Sequence, residues 1–300
     1  MKIFVKVPAT TANLGPGFDV LGGALDIYNE NEFYEDEKFD LNFKGVDSEK
    51  INPEDNYFIK AIKLGSNFLE KDPPKGKIIF KNNIPIGKGL GSSASAIILG
   101  LSIPFLYYLK KIDEEDFLKL ALEIEGHLDN LIPAYFGGVR ISFKQQEKIN
   151  SVKLKTPKEK LILIVPKIGI STEKQELFYK KKLDLKDAIF NIQRACLVVY
   201  SFESKNYKFL KSAFEDRIHQ NLRMDLVGGL KDLFFKILEN RKIIGGWLSG
   251  SGSTLAFLIK EKDTINIKEF ILNLLELLKF EASILISEFS NEGIKYSIYN

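Results

Sequence analysis

Three glycines at alternate positions lie in the run Ile84-Pro85-Ile86-Gly87-Lys88-Gly89-Leu90-Gly91-Ser92-Ser93-Ala94-Ser95-Ala96. Lacking a Cβ, Gly87, Gly89 and Gly91 let a loop turn tightly and bring its backbone against a ligand. Small hydroxyl residues follow, then an apolar run through Ile97, Leu99 and Leu101 that predicts a helix capped by Ser92 or Ser93. A loop feeding a helix start offers unpaired N–H groups and the positive end of a dipole, which together suit phosphate. A plain turn before a buried helix has a similar composition, and the glycines alone do not separate the two readings. Two familiar phosphate loops are excluded. Neither Gly76-Lys77 nor Gly87-Lys88 is followed by Ser or Thr, and Ser92 stands where a Gly-x-Gly-x-x-Gly pattern needs its third glycine.

Other chemistry-bearing residues are clustered. Asn13 and Asp19 flank the loop Leu14-Gly15-Pro16-Gly17-Phe18, which by composition reads as a connecting turn. Glu123, Glu125, His127, Asp129 and Asn130 crowd the end of an expected helix, where a carboxylate is ordinarily just solvated. Asp216, His219 and Arg223 form another group, and Arg223 is one of five arginines in a lysine-rich chain. A planar guanidinium is the better fork for a carboxylate or phosphate. Gly245 to Phe257 holds a second stretch rich in Gly and Ser between apolar segments, which by itself could be a hairpin.

Taken together these stretches resemble the GHMP small-molecule kinases. Pro85, Gly89, Leu90, Gly91, Ser92, Ser93 and Ala94 match that family's Pro-x-x-x-Gly-Leu-Gly-Ser-Ser-Ala motif position by position. Pro8, Ala12, Asn13, Leu14, Gly15, Pro16, Gly17, Phe18 and Asp19 are similar to the opening signature of its homoserine kinase branch. Glu125-Gly126-His127-Leu128-Asp129-Asn130 with Pro133 and Gly137-Gly138, then Asp216, His219 and Arg223, and finally Gly245 to Phe257 resemble further motifs in the same order. The resemblance implies an α+β, two-domain GHMP kinase fold. Its N-terminal half (1–152) would be ribosomal protein S5 domain 2-like and its C-terminal half (153–300) ferredoxin-like, with ATP in the cleft. It assigns ATP to Pro85, Ile86, Gly87, Lys88, Gly89, Leu90, Gly91, Ser92, Ser93, Ala94 and Ser95, with Asn56 and Thr172 on the nucleotide side. Mg2+ would take the Ser93 hydroxyl and Glu125, with Glu123 as the competing carboxylate.

The acceptor implied is L-homoserine, phosphorylated on its side-chain hydroxyl for threonine synthesis, with Asn13, Asp19, His127, Asn130 and Arg223 around it. Asp129 is available as a general base. In the family, however, the residue facing the hydroxyl is thought to be the asparagine, here Asn130, so catalysis by positioning and electrostatics is expected. His127 could instead orient the hydroxyl. Other GHMP kinases acting on shikimate, pantoate or mevalonate are the nearest alternative. A catalytically idle ligand-binding relative is another; it would be marked by loss of Ser93, Glu125 or Asp19, and all three are present. The chain departs from its homoserine kinase pattern at Ser171-Thr172-Glu173-Lys174, where an arginine usually follows the Ser-Thr pair, and at Ser253, where proline is common.

These residues need positioning elements, and periodicity supplies them. Ile3, Val5 and Val7 alternate as one face of a strand, and Asp26 to Phe43 reads as strands of a meander. Helices are expected from Phe58 to Phe68, over Asp113 to Glu125 with Asp113 as cap, from Gly169, and over Asp187–Phe202, Lys205–Phe214, Leu230–Leu238 and Lys268–Phe280. Short strands are expected at Lys77–Phe80, Leu161–Pro166 and Gly293–Tyr299. The polar, Lys-rich stretch Gln145–Lys160 is the expected domain boundary. Pro104 should kink or end the helix after the Gly-rich loop about three turns in.

With 45% hydrophobic and 28% charged residues and a net charge of +3, the 300-residue chain has globular composition, and nothing points to nucleic acid or a membrane surface as partner. Ala94–Leu109 falls short of the roughly 20 residues that span a bilayer. Cys196 is the only cysteine, so a cytoplasmic setting and a buried, inert thiol are expected. Oligomeric state stays open, a homodimer included.

Overall fold

The structure is a computed structural model describing residues 1–168 and 183–299. Strand β1 (Lys2–Ala12) buries Ile3, Val5 and Val7 completely, as alternation requires. It continues past Pro8 to Ala12, because after a shift in register Thr10 to Ala12 still pair with its neighbour, β2 (Leu21–Glu35). The strand stops where Asn13 and Leu14 turn left-handed, at φ 69° and 41°.

The expected meander does not form. β3 (Asp40–Gly45) pairs in parallel with β4 (Gly76–Asn82), and β4 lies between β3 and β2. β2 also pairs with β5 (Val139–Gln145), which forms a hairpin with β6 (Lys148–Leu154). Much of the polar stretch taken for a boundary is therefore strand. β11 (Lys295–Tyr299) returns from the end of the chain to β1.

Four helices accompany this sheet: α1 (Tyr57–Phe68), α2 (Ser92–Pro104), α3 (Glu114–Glu125) and α4 (Leu128–Phe136). Asn56 and Asp113 cap α1 and α3, their side chains accepting from Ile59 N and Asp116 N. Ile97, Ile98, Leu99, Leu101 and Ile103 of α2 have no exposed surface, so this helix is the core of its half. Ser92–Leu109 is long and apolar enough to cross a membrane, but 67% of it is buried inside the protein, as suits a core helix. Pro104 ends α2, and the chain continues as a wider π turn over Phe105–Leu109, since proline brings no N–H to the ladder.

A second, antiparallel sheet has the order β10–β7–β9–β8: β7 (Lys160–Pro166), β8 (Ile243–Leu248), β9 (Leu255–Ile259) and β10 (Ala282–Glu288). With it lie α5 (Leu185–Ser204), the short α6 (Leu210–Ala213) and α7 (Gln220–Met224), then α8 (Leu230–Leu238) and α9 (Thr264–Leu277). Lys205, at φ 56°, ends α5, and of the helix expected over Lys205–Phe214 only α6 forms. Cys196 is exposed on α5, against expectation: the apolar run around it points other side chains inward. One apolar cluster joins the two sheets, with Ala9, Leu21 and Leu25 packed with Leu161, Leu163 and Trp247. The cleft between the sheets thus has a continuous floor.

Candidate functional site

The Gly-rich loop closes the gap between β4 and α2, and each glycine has positive φ: 67° at Gly87, 77° at Gly89 and 67° at Gly91. Gly91 itself is the residue before α2, in left-handed conformation. Neither Ser92 nor Ser93 is the cap that the sequence suggested; they are the first two helical residues. The first-turn N–H groups of α2 are then open to a ligand, and neither hydroxyl is spent on a cap. At Gly89 a Cβ would stand 2.1 Å from the Ser249 carbonyl oxygen, and at Gly91 1.9 Å from Thr10 Oγ1. Close approach as well as backbone sign demands glycine. Gly89→Ala is therefore expected to weaken nucleotide binding at least ~10-fold and to cost about 1–3 kcal/mol of stability, read by titration calorimetry and thermal unfolding.

The loop is anchored from the opposite sheet. The Ser249 hydroxyl donates to Gly89 O (2.6 Å) and Thr254 N donates to Lys88 O (3.1 Å). Lys88 is 9% exposed and its ammonium donates to Lys167 O at 2.6 Å, while burial holds its pKa below the usual lysine range. From the other side, Thr10 N donates to Leu90 O (3.1 Å).

A cavity of about 610 Å3 opens over this loop. Asn13, Asp19, Asn56, Glu125, His127, Asn130 and Arg223 line it, together with Ile86 to Ser93. Pro85, Ala94 and Ser95 do not: Ala94 and Ser95 are fully buried behind the wall, with the Ser95 hydroxyl on Val7 O at 3.4 Å. Thr172 and the departure at Lys174 lie outside the described residues. Asn56 uses its carbonyl oxygen to cap α1 and donates its amide to Asn52 O (2.6 Å).

The choice between two carboxylates is decided by geometry. Glu123 is exposed, whereas Glu125, the last residue of α3, faces the loop and accepts from Ser93 Oγ at 2.9 Å. Burial pushes its pKa up to about 7, against the pull of that hydrogen bond.

At the other end of the cavity two more carboxylates sit close together. Asp129 is 3% exposed, and its pKa is raised to about 7 by burial, with the charges of Asp19 and Glu125 adding to it. Asp19 is also raised by burial, opposed by His127 and Arg223. His127 Nδ1 lies 3.9 Å from Asp19 Oδ1. Asn130 bridges the clusters: its Oδ1 accepts from Thr10 Oγ1 (2.8 Å) and its Nδ2 lies 3.4 Å from Asp129 Oδ1. Asn13 Nδ2 and Arg223 Nη1 both donate to Gly250 O, at 2.9 and 3.0 Å.

Supports hold the Asn13–Asp19 loop. His219, 1% exposed, donates through Nε2 to Gly15 O (2.7 Å), and burial lowers its pKa to about 4, so it is neutral. Its ring and the Arg223 guanidinium each lie 5.1 Å from the Phe18 ring. Asp216 fixes the start of α7 by accepting from His219 N and Gln220 N. The composition-based reading of the first loop as a mere turn is thus incomplete, since it forms part of the cavity wall. Asp129 is the cavity residue that the sequence undervalued; its signal was a carboxylate directly before Asn130. Lys50, Asn52 and Tyr57 also line the cavity near Asn56 and carried no motif.

Comparison with known proteins agrees with this arrangement. Residues 56–138 match the family model for the GHMP kinases N terminal domain. The chain is 39% identical over 277 residues to homoserine kinase of Clostridium beijerinckii, covering 90% of this chain and 91% of that one. It is 33% identical to homoserine kinase of Aquifex aeolicus, covering 98% and 99%. Among solved structures, homoserine kinase from Cytophaga hutchinsonii superposes with a TM-score of 0.85 at 23% identity, covering 99% of this chain and 97% of that one, a likeness of fold. The fold is the α+β GHMP kinase fold that the loop motifs implied.

Proposed function

Because the chain belongs to the homoserine kinase family of the GHMP kinases, we propose that it transfers the γ-phosphoryl group of ATP to the side-chain hydroxyl of L-homoserine, giving O-phospho-L-homoserine for threonine biosynthesis. The observation that carries the choice of acceptor is the pair Asp19 and Asp129. Two carboxylates with raised pKa, both on one cavity wall, favour a cation between them. An amino acid brings an ammonium; shikimate, pantoate and mevalonate do not. Arg223, beside Asn13 and the Gly250 carbonyl, is the cation for the carboxylate of that amino acid.

In this reading the triphosphate lies along the Gly87–Gly91 backbone and the start of α2, with the nucleoside toward Asn56 and Tyr57. Glu125 and the Ser93 hydroxyl fit a Mg2+ ion: a partly buried carboxylate with no ion pair among the described residues, next to a hydroxyl oxygen, is a hard-oxygen donor set that leaves room for phosphate and water. The ion would neutralise charge on the phosphates as the γ-phosphoryl group departs. Asn130 faces the acceptor hydroxyl and the transferring group as an N–H donor, and His127 orients the hydroxyl. Rate enhancement then rests on alignment and electrostatics. The proposal includes the division of the chain near residue 152 into two lobes that close around the cleft, and a cytoplasmic location.

A coupled ADP-release assay tests the acceptor. L-Homoserine should be turned over at least ~100-fold more efficiently than 4-hydroxybutyrate, shikimate, pantoate or mevalonate, none of which carries an amine. Equal turnover of any of these would overturn the choice of acceptor while leaving the kinase reading intact.

A further inference from the structure

We infer that Thr10 is a positioning residue whose hydroxyl fixes the side-chain amide of Asn130, so that an N–H donor and not a carbonyl oxygen faces the reacting groups. The inference rests on the reading that Asn130 faces those groups. Thr10 has no exposed surface, yet its Oγ1 lies 2.8 Å from Asn130 Oδ1. An amide oxygen can only accept, so the threonine hydroxyl is the donor. Both amide hydrogens of Asn130 are thereby turned away from Thr10. One lies toward Asp129 Oδ1, at 3.4 Å, and the other has no hydrogen-bond partner among the described residues, on a side chain that lines the cavity. The ionised Asp129 carboxylate selects the orientation, since a flipped amide would aim its oxygen at it, and the Thr10 hydroxyl, donating to Oδ1, locks the amide so selected. Because amide oxygen and nitrogen are nearly isosteric, packing alone does not choose between the two.

The same threonine is tied to the phosphate cradle. Its N–H donates to Leu90 O, and Gly91 leaves the space that its hydroxyl needs, since a Cβ there would lie 1.9 Å from Oγ1 and 3.2 Å from Asn130 Oδ1. The orientation of Asn130 is thus set from the backbone of the nucleotide loop. A flipped Asn130 would present its oxygen to the oxygens of the transferring phosphoryl group, replacing attraction by repulsion.

Thr10→Val removes the hydroxyl at nearly constant shape, Thr10→Ser keeps it, and Asn130→Ala removes its partner. We expect Thr10→Val to lower kcat about 10–100-fold, as misoriented groups do, with the Kd for ATP within ~3-fold because the bond to Leu90 O is a backbone one. Thr10→Ser should recover most of the rate. In the Asn130→Ala background Thr10→Val should cost nothing further, the mark of residues acting as one unit. If Thr10→Val does not fold, Thr10→Ala, which adds no bulk, takes its place. A Thr10→Val rate within ~3-fold of the parent, a Thr10→Ser rate as low as Thr10→Val, or multiplying losses in the double variant would each overturn the inference. Asn130→Ala with unchanged turnover would instead remove the reading of Asn130 on which it stands.

Discussion

Glu125→Ala is expected to reduce kcat at least ~100-fold while the protein stays folded and, above pH 7, becomes more stable. The two effects have one cause. Glu125 is held at the cavity wall by the end of α3, with only the Ser93 hydroxyl donating to it among the described residues. One neutral hydrogen bond does not offset the loss of water around a carboxylate, and its pKa rises from 4.5 to about 7. Folding therefore favours the protonated form: this group's contribution to stability falls as pH rises from about 4.5 through 7, and the penalty is complete above that. Such a penalty persists where an added cation and its phosphates relieve it, which is the case for metal positioning. Glu125→Gln separates charge from shape, since it can still accept from Ser93. It should lose nearly as much turnover as Glu125→Ala. Turnover within ~5-fold of the parent for either variant, in a steady-state assay at saturating Mg-ATP, would refute the role of Glu125.

How far the sequence reaches depends on how local the cause is. The glycine pattern was legible because only glycine tolerates both the positive φ and the contact distances at Gly89 and Gly91. The cap Asp113 and the alternation of Ile3, Val5 and Val7 are likewise local and appear where expected. The parallel pairing of β3 with β4 was not legible, because register between distant segments depends on what else fills the sheet. β10 was missed since its outward residues, including Ile286 at 45% exposure, blur any alternation. Cys196 shows the converse: an apolar stretch on a helix has an exposed face too. Ser92 and Ser93 are the caps the sequence suggests, yet left-handed Gly91 occupies the cap position and neither hydroxyl is spent there; that of Ser93 donates to Glu125 instead. For the site, motif order brought the right residues to one cavity, but not their charge states. Asp129 is pushed up mainly because folding buries it, and further because the charge of Asp19, some 110 residues earlier in the chain, is brought close on a loop that His219 supports from yet another segment.

That charge state makes the second large effect a pH-dependent one. Free Asp129 is neutral below about pH 7, raised mainly by burial and further by Asp19 and Glu125. A substrate ammonium is held by the ionised form, so kcat/KM for L-homoserine should climb with pH and level off above about 7, the pair Asp19–Asp129 titrating as a unit. Asp129→Asn keeps the shape and removes the charge. Leaving a buried cation without its partner costs enough that KM for L-homoserine should rise about 100-fold or more, with KM for ATP within ~3-fold. Stability should move the other way: the carboxylate's contribution falls as pH rises from 3.8 through 7, so the asparagine variant should unfold at a higher temperature than the parent at pH 8. Glu125 also titrates near pH 7, but it acts on the phosphate side, and its effect should appear in kcat. A KM for L-homoserine that Asp129→Asn leaves unchanged would transfer the ammonium to Asp19 alone and make the burial of Asp129 a purely structural matter.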